Sequence, residues 1–192
     1  MNKKLILPIS IISIVVILVI WAFSTYNSIV TLDEAVPAQW AQVENAYKRR
    51  ADLIPNLVST VKGYAAHEQG TFEAVVEARA KATQITVDPS NLTPEKLKEY
   101  QAAQGQVGSA LGKLLMITEN YPELKANQNF LELQAQLEGT ENRISTERHR
   151  FNESTRMFNS KIRRFPGNLF GFDTRPYFEA TEAEQAVPTV SF

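Results

Sequence analysis

The 192-residue chain contains no cysteine and only two histidines. The first absence removes disulfides, thiolate metal sites, cysteine nucleophiles and a lipid-modified cysteine anchor together. The second leaves little for a histidine-rich metal centre. Nor is there an excess of positive charge. Beyond residue 24 stand 18 Lys and Arg against 21 Asp and Glu, a formal charge of −3, which argues against a nucleic-acid binder. Gly-x-Gly-x-x-Gly, P-loop and Gly-x-Ser-x-Gly signatures are missing. A di-metal helical bundle needs Glu-x-x-His pairs, yet Tyr64 and Thr146 stand three residues before His67 and His149. The sequence therefore implies no cofactor and no metal, and names no catalytic residue.

What is present begins with an uninterrupted apolar run. Leu5 to Phe23 carries no charge, and at about 1.5 Å per residue it spans roughly 28 Å, the thickness of a bilayer's hydrocarbon core. Lys3 and Lys4 precede it, and the first charges after it are Asp33 and Glu34. By the positive-inside rule the N-terminus stays cytoplasmic and the rest is exported, single-pass, from a bacterial cytoplasmic (inner) membrane. A cleaved signal peptide is the rival, since Ala22-Phe23-Ser24 puts small residues at a possible cut, but the run exceeds a usual signal core. The remaining 168 residues suit one domain, and ten Phe argue against disorder.

From Ile29 the apolar residues recur every three or four positions: Leu32, Val36, Trp40, Val43, Tyr47, then Arg50, then Ile54, Leu57, Val61 and Tyr64. That is the seam of a helix in a left-handed bundle. Pro37 and Pro55 interrupt it, and Pro55 is expected to bend the helix or force a local irregularity. Gly63 and Gly70 bracket a turn, and Thr71 is placed to cap a short second helix. Thr93-Pro94 signals a third, which stops before Pro122 and carries Gly105, Gly108 and Gly112 on one face. The favoured reading of those glycines is close packing on a neighbouring helix; the sharper one is a surface for a partner's backbone. A fourth helix over 127–165 has a stripe from Phe130 through Leu137, Ile144, Arg148, Phe151 and Phe158 to Phe165, matched in length to the first.

The expected fold is thus all-α. An N-terminal stub and transmembrane helix (1–24) leads into an antiparallel up-and-down bundle of long helices (25–165), and an irregular aromatic tail (166–192) docks on it. Four helices are expected, or three if the first two are continuous. With four, the last helix returns to the membrane. Lys161, Arg163 and Arg164 would then face headgroups, with Phe165, Leu169, Phe170 and Phe172 at the interface. The plainer alternative is that these cations complement a helix C-terminus and the aromatics fill core.

Several blocks carry a resemblance. They are Tyr26-Asn27-Ser-Ile-Val, Arg49-Arg50-Ala-Asp52-Leu-Ile-Pro55-Asn-Leu57-Val58, Val61-Lys-Gly-Tyr-Ala-Ala-His67-Glu68 and Glu77-Ala-Arg79-Ala80. Phe165-Pro-Gly-Asn-Leu-Phe170-Gly-Phe172, Tyr177-Phe178 and Pro188-Thr-Val-Ser-Phe192 complete the set. In these the chain resembles the LemA family of bacterial membrane-anchored helical proteins, over essentially its whole length. The resemblance implies a transmembrane helix, a helical bundle and no assigned reaction. A magnetosome-membrane protein is similar to that family, which points towards membrane organisation.

Arg50 is the residue that asks most of its surroundings, because a cation in an apolar seam needs a partner or an escape to solvent. Asp52 is too near in sequence to face it, so Glu141 or Glu147 is the expected counter-ion, and Arg148 poses the same question on its own helix. A register-fixing ion pair is the favoured reading, and a site for a ligand carboxylate or phosphate the minority one. Glu73, Glu77 and His67 are the candidates if a metal-dependent hydrolase is entertained. The expected role is a non-enzymatic envelope scaffold or membrane-organising protein. Its N-terminal helix meets lipid and its bundle meets an unidentified protein or a second copy. Sensing of a small ligand or peptide through Arg50 is the alternative.

Overall fold

A computed structural model describes residues 3–179, with side chains from Pro8 onward except Ser90. The Leu5 side chain and Pro188–Phe192, both invoked above, lie outside what is described. The first helix, α1, is a single element, Lys3–Lys62, about 90 Å long at 1.5 Å per residue. It runs from the apolar segment into the bundle seam without an interruption at residues 24 and 25. Side chains from Ile9 to Ile20 stand bare around it, as a lipid-facing helix requires.

After a turn at 63–68 the chain descends as α2, Gln69–Gln84, then rises as α3, Pro94–Thr118. A single turn, α4 (Pro122–Lys125), leads to the long descending helix α5, Gln128–Arg163. The first two helices are therefore separate, and the long helices number four. Thr93 is the cap the sequence leads one to expect, its Oγ1 accepting from the Lys96 amide at 3.3 Å, and Asn127 is a further one, its Oδ1 accepting from the Phe130 amide at 3.0 Å. Thr71 is not a cap, since α2 already begins at Gln69.

α1 and α5 form the backbone of the bundle. Tyr64 sits opposite Asn127 (2.9 Å), Arg50 opposite Glu141 (3.0 Å), and Trp40 packs edge-on to Phe151 (5.6 Å between centroids). A step of ten down α1 is a step of ten up α5, so the two stripes close on each other over their full length. That register is what matched seams of equal period allow.

The core has two parts. Far from the apolar run, Ile54, Leu57 and Val61 of α1 pack with Phe72 and Val75 of α2, Val107 and Leu114 of α3, and Phe130 and Leu137 of α5. Near it, α2 no longer reaches, and the core is aromatic: Trp40, Tyr47, Tyr100, Phe151, Phe158 and the tail residue Phe178. The tail thus takes the place of α2 at the lower level.

Pro55 lies inside α1, which continues through it as the unbroken apolar stripe implies. Proline removes the amide that would bond the carbonyl four residues back. That carbonyl, Ala51 O, instead accepts from Arg79 Nε of α2 at 2.7 Å. The orphaned acceptor is satisfied across a helix interface, and the helix continues.

The glycines of α3 depart from expectation. A Cβ added at Gly105 or Gly112 would have nothing within 4 Å, and at Gly108 only the Arg50 guanidinium, at 3.9 Å. Among the described residues no neighbouring backbone presses on this face.

Candidate functional site: the buried cation and the membrane-proximal collar

Arg50 is 3% exposed and fully occupied. Nη1 donates to Glu141 Oε1 at 3.0 Å, and Nη2 donates to both the backbone oxygen and Oε1 of Gln104, at 2.9 and 2.7 Å. The guanidinium also lies over the Tyr47 ring, 5.0 Å from its centroid. One planar fork therefore joins α1, α3 and α5, which a lysine's single ammonium does not reproduce. Glu141, not Glu147, is the counter-ion.

Glu147 serves elsewhere. It is 4% exposed, accepts from Gln39 Nε2 of α1 at 2.8 Å, and pairs with Arg150 at 3.2 Å on its own helix. Arg148 turns towards the tail: Nη2 donates to the Glu179 carbonyl at 3.1 Å and the guanidinium covers the Phe178 ring at 5.1 Å. The three residues singled out for one seam pair thus belong to three different connections.

Beside Arg50 opens a cavity of about 430 Å³ between α1, α2 and α3, lined by Tyr47, Arg50, Tyr100 and Gln104 and by charges of both signs, Glu44 and Asp52 with Lys48 and Arg79. Burial, foremost, holds the Tyr100 phenol well above its ordinary value of 10.0, with the neighbouring Tyr47 and Glu44 adding to the shift. Glu73 and Glu77 do not converge on a common point. Glu73 accepts from Gln69 at 2.8 Å, and Glu77 pairs with Lys81 at 2.8 Å, which lowers its carboxyl from 4.5. Among the described residues no three His, Asp or Glu side chains cluster as metal ligands.

The lower end is built by the tail. Gly167 packs so tightly under the last turn of α5 that a Cβ there would collide with the Lys161 carbonyl oxygen, and Gly171 adopts φ +72°, a region open to glycine. These two positions fold Phe165–Phe172 into a hook. The hook closes on α1: Phe165 packs against Trp21 (5.8 Å between centroids), and Phe170 and Phe172 against Tyr26 (5.6 and 5.9 Å). Phe170 and Phe172 lean on the aromatic core, whereas Phe165 and Leu169 face outward, 71% and 70% exposed. Lys161 is half-buried, and Arg163 and Arg164 are exposed.

Beyond the hook the chain climbs α5 as an extended strap, and two asparagines hold it. Asn159 accepts from the Arg175 amide at 2.9 Å and donates to the Arg175 carbonyl at 2.8 Å. Asn152 does the same for Phe178, at 2.8 and 2.9 Å. Seven helical residues rise about 10.5 Å and three extended ones about 10 Å, so the two spacings coincide. Arg175 adds an ion pair to Asp33 of α1 at 2.9 Å, and Phe178 stacks on Trp40 at 5.7 Å. Neither asparagine stands out in the sequence, because their seven-residue interval acquires meaning only beside the extended strap.

Comparison with known proteins agrees with this architecture. The model of the LemA family matches residues 39–192. Magnetosome protein MamQ 2 of Paramagnetospirillum magneticum is 27% identical over 179 residues, 82% of this chain and 66% of that protein. Magnetosome protein MamQ of Magnetospirillum gryphiswaldense is 27% identical, with 94% of this chain and 74% of that one aligned. Protein LemA of Metamycoplasma hominis is 29% identical over 147 residues, 74% of this chain and 64% of that protein. The chain thus spans about two thirds of the length of the relatives it matches.

Proposed function

This chain belongs to the LemA family, and we propose that it is a non-enzymatic, single-pass scaffold of the cell envelope that holds its bundle at a fixed attitude to the membrane. The observation that carries this is the joint between anchor and bundle. α1 passes from one to the other as one helix, and the hook clamps the crossing at Trp21 and Tyr26. From Ser24 to Lys62 the post rises roughly 58 Å at 1.5 Å per residue. A fixed height suits a protein that spaces or aligns partners. Kinship with proteins named for the magnetosome supports a role in organising membrane. In this reading the N-terminus is cytoplasmic and the bundle extracytoplasmic, because Lys3 and Lys4 are the only charges before the run.

Photo-crosslinking amino acids placed in cells at exposed Val76, Met116, Leu131 and Met157 test it. Discrete adducts of one mass, with another protein or with a second copy, clustered at one height of the post are expected. Uniformly adduct-free positions on every face would remove the scaffold reading.

The cavity beside Arg50 favours a second reading, sensing of a small anionic ligand or peptide, since four buried polar side chains line it. A ligand there raises the melting temperature by mass action. Flat thermal shifts across carboxylates, phosphates and short peptides would dispose of it.

A further inference from the structure

The hook does more than clamp the anchor. We propose that it is a second membrane-contact element, with Phe165 and Leu169 entering the interfacial layer of the leaflet from which α1 emerges, and Arg163 and Arg164 lying on its phosphates. This rests on the reading of α1 as a membrane anchor and adds to it a lipid contact by the bundle itself.

Four observations converge. The first is height: Trp21 belongs to the last turn of the apolar run, and Phe165 packs directly against it. Whatever surrounds Trp21 also surrounds Phe165. The second is exposure. Phe165 and Leu169 are the two most exposed large apolar side chains among the described residues, more so than Ile17 at 64% within the run itself. Water is a costly medium for that much apolar surface at one spot.

The third is rigidity. The tight seat of Gly167 under Lys161 and the packing of Phe170 and Phe172 on Tyr26 fix the hook's shape, so the outward pose of its apolar tip is built in. The fourth is charge. On α1 no acidic residue occurs before Asp33, and from Ser154 to Phe172 the chain has none either, while Arg156, Lys161, Arg163 and Arg164 fall in that stretch. Arg156 is engaged by Glu153, at 2.6 Å. The two helices at the base of the bundle thus form a belt without negative charge over roughly 18 Å between Trp21 and Asp33 at 1.5 Å per residue, and the carboxylate that the tail brings near this level is the exposed Asp173, next to Phe172. Such a belt complements phosphate groups, and apolar and aromatic side chains flanked by arginine are the composition that interfacial depth selects.

The contact is therefore one-sided. It displaces lipid in a single leaflet beside the anchor, as a shallow wedge does.

The test uses the full chain in vesicles, with single cysteines at Val15, Ser59 or Leu169 carrying an environment-sensitive fluorophore, and lipids spin-labelled at shallow or deep positions. The chain's lack of cysteine makes each site unique. V15C reports the anchor, S59C the distal bundle, and L169C the hook. The expected result is deep quenching of V15C, none of S59C, and shallow quenching of L169C by about twofold or more, as for an interfacial residue. An L169C label that is quenched by aqueous iodide as readily as S59C, while V15C is quenched by lipid, overturns the hook contact and leaves the anchor intact. Failure at V15C overturns both. Phosphatidylcholine vesicles with and without phosphatidylglycerol read the arginines. Shallower approach of R163Q/R164Q than of the native chain, with the larger difference in the anionic lipid, supports their role, and equal depth of the two proteins in both lipids overturns the phosphate contact while leaving that of the apolar tip. Leu169 belongs to neither core cluster, so L169D, which spares the Phe165–Trp21 contact, is expected to melt as the native chain does and to lose the shallow quenching read from a label at Asn168.

Discussion

At the scale of single residues, burial decides which polar groups carry weight. Arg50 is almost wholly enclosed while its partner Glu141 is 43% exposed, so the pair is open to water on one side only. Removing the carboxylate leaves a counter-ion that solvent can partly replace; removing the guanidinium breaks a junction of three helices. Arg50→Lys keeps the charge and loses the fork, and it is expected to cost about 1–2 kcal/mol in thermal unfolding of the micelle-held protein. Lys48→Ala, on an exposed position of the same helix, is expected to cost less than about 0.5 kcal/mol. Equal stability of Arg50→Lys and native protein would mean that the fork is incidental. Tyr100 gives a pH prediction with a definite sign. Its folded-state phenol ionises above the ordinary 10.0, so the shift leaves stability intact below that pH. Above it the unfolded chain loses the proton and the folded one does not, and stability falls as pH rises. In the full-length protein Tyr100→Phe should flatten the decline seen between pH 10 and the alkaline unfolding limit, relative to its own value at neutral pH. An unchanged slope would show that other groups dominate it.

At the scale of elements, two connections hold the bundle together, and both join backbone to a distant side chain. Pro55 leaves Ala51 O without its helical donor, and Arg79 supplies one. The two residues therefore act as a unit. Arg79→Met is expected to destabilise the native chain by about 1–2 kcal/mol and to cost clearly less in a Pro55→Ala background, where the amide of residue 55 can bond Ala51 again. Strict additivity in that double-mutant cycle would refute the coupling. The strap offers a second prediction. Asn159→Ala removes both bonds that pin Arg175, so the Arg175 amide should lose hydrogen-exchange protection while amides in the middle of α5 keep theirs. Retained protection at Arg175 would show that the Asp33 ion pair, Asn152 and Phe178 hold the strap without Asn159. These cases mark the limit of what the sequence discloses. The helices were legible because apolar spacing and Thr93-Pro94 are local signals. How α1 accommodates Pro55 was not, because the donor that replaces its amide lies on another helix. The strap was expected to dock, but nothing local identifies Asn152 and Asn159 as its fasteners. Arg50 announced its need for a partner by sitting in an apolar stripe, and the choice of Glu141 over Glu147 followed from register, which stripes of equal period constrain only to within a turn.

At the scale of the whole molecule, one direction is decisive. α1 and α5 are antiparallel along their length, so the C-terminal end of α5 must return to the level of Trp21, and every feature of the collar follows from that return. The same geometry places Ser59 near the far end of the post, close to the turn at 63–68, and Asn168 at its base. Sidedness then becomes a measurement on two residues. If Lys3 and Lys4 retain the N-terminus in the cytoplasm, S59C in intact cells reacts with a membrane-impermeant thiol reagent, as far from the bilayer as the bundle reaches. N168C, at the headgroups, is expected to react several-fold more slowly from the same side, because charged reagents partition poorly into that layer. Two cysteines reacting at one rate would put the hook in free solution. Reaction only after lysis would reverse the orientation and move the search for partners to the cytoplasm, while the antiparallel return and the collar it builds would stand unchanged on the other leaflet.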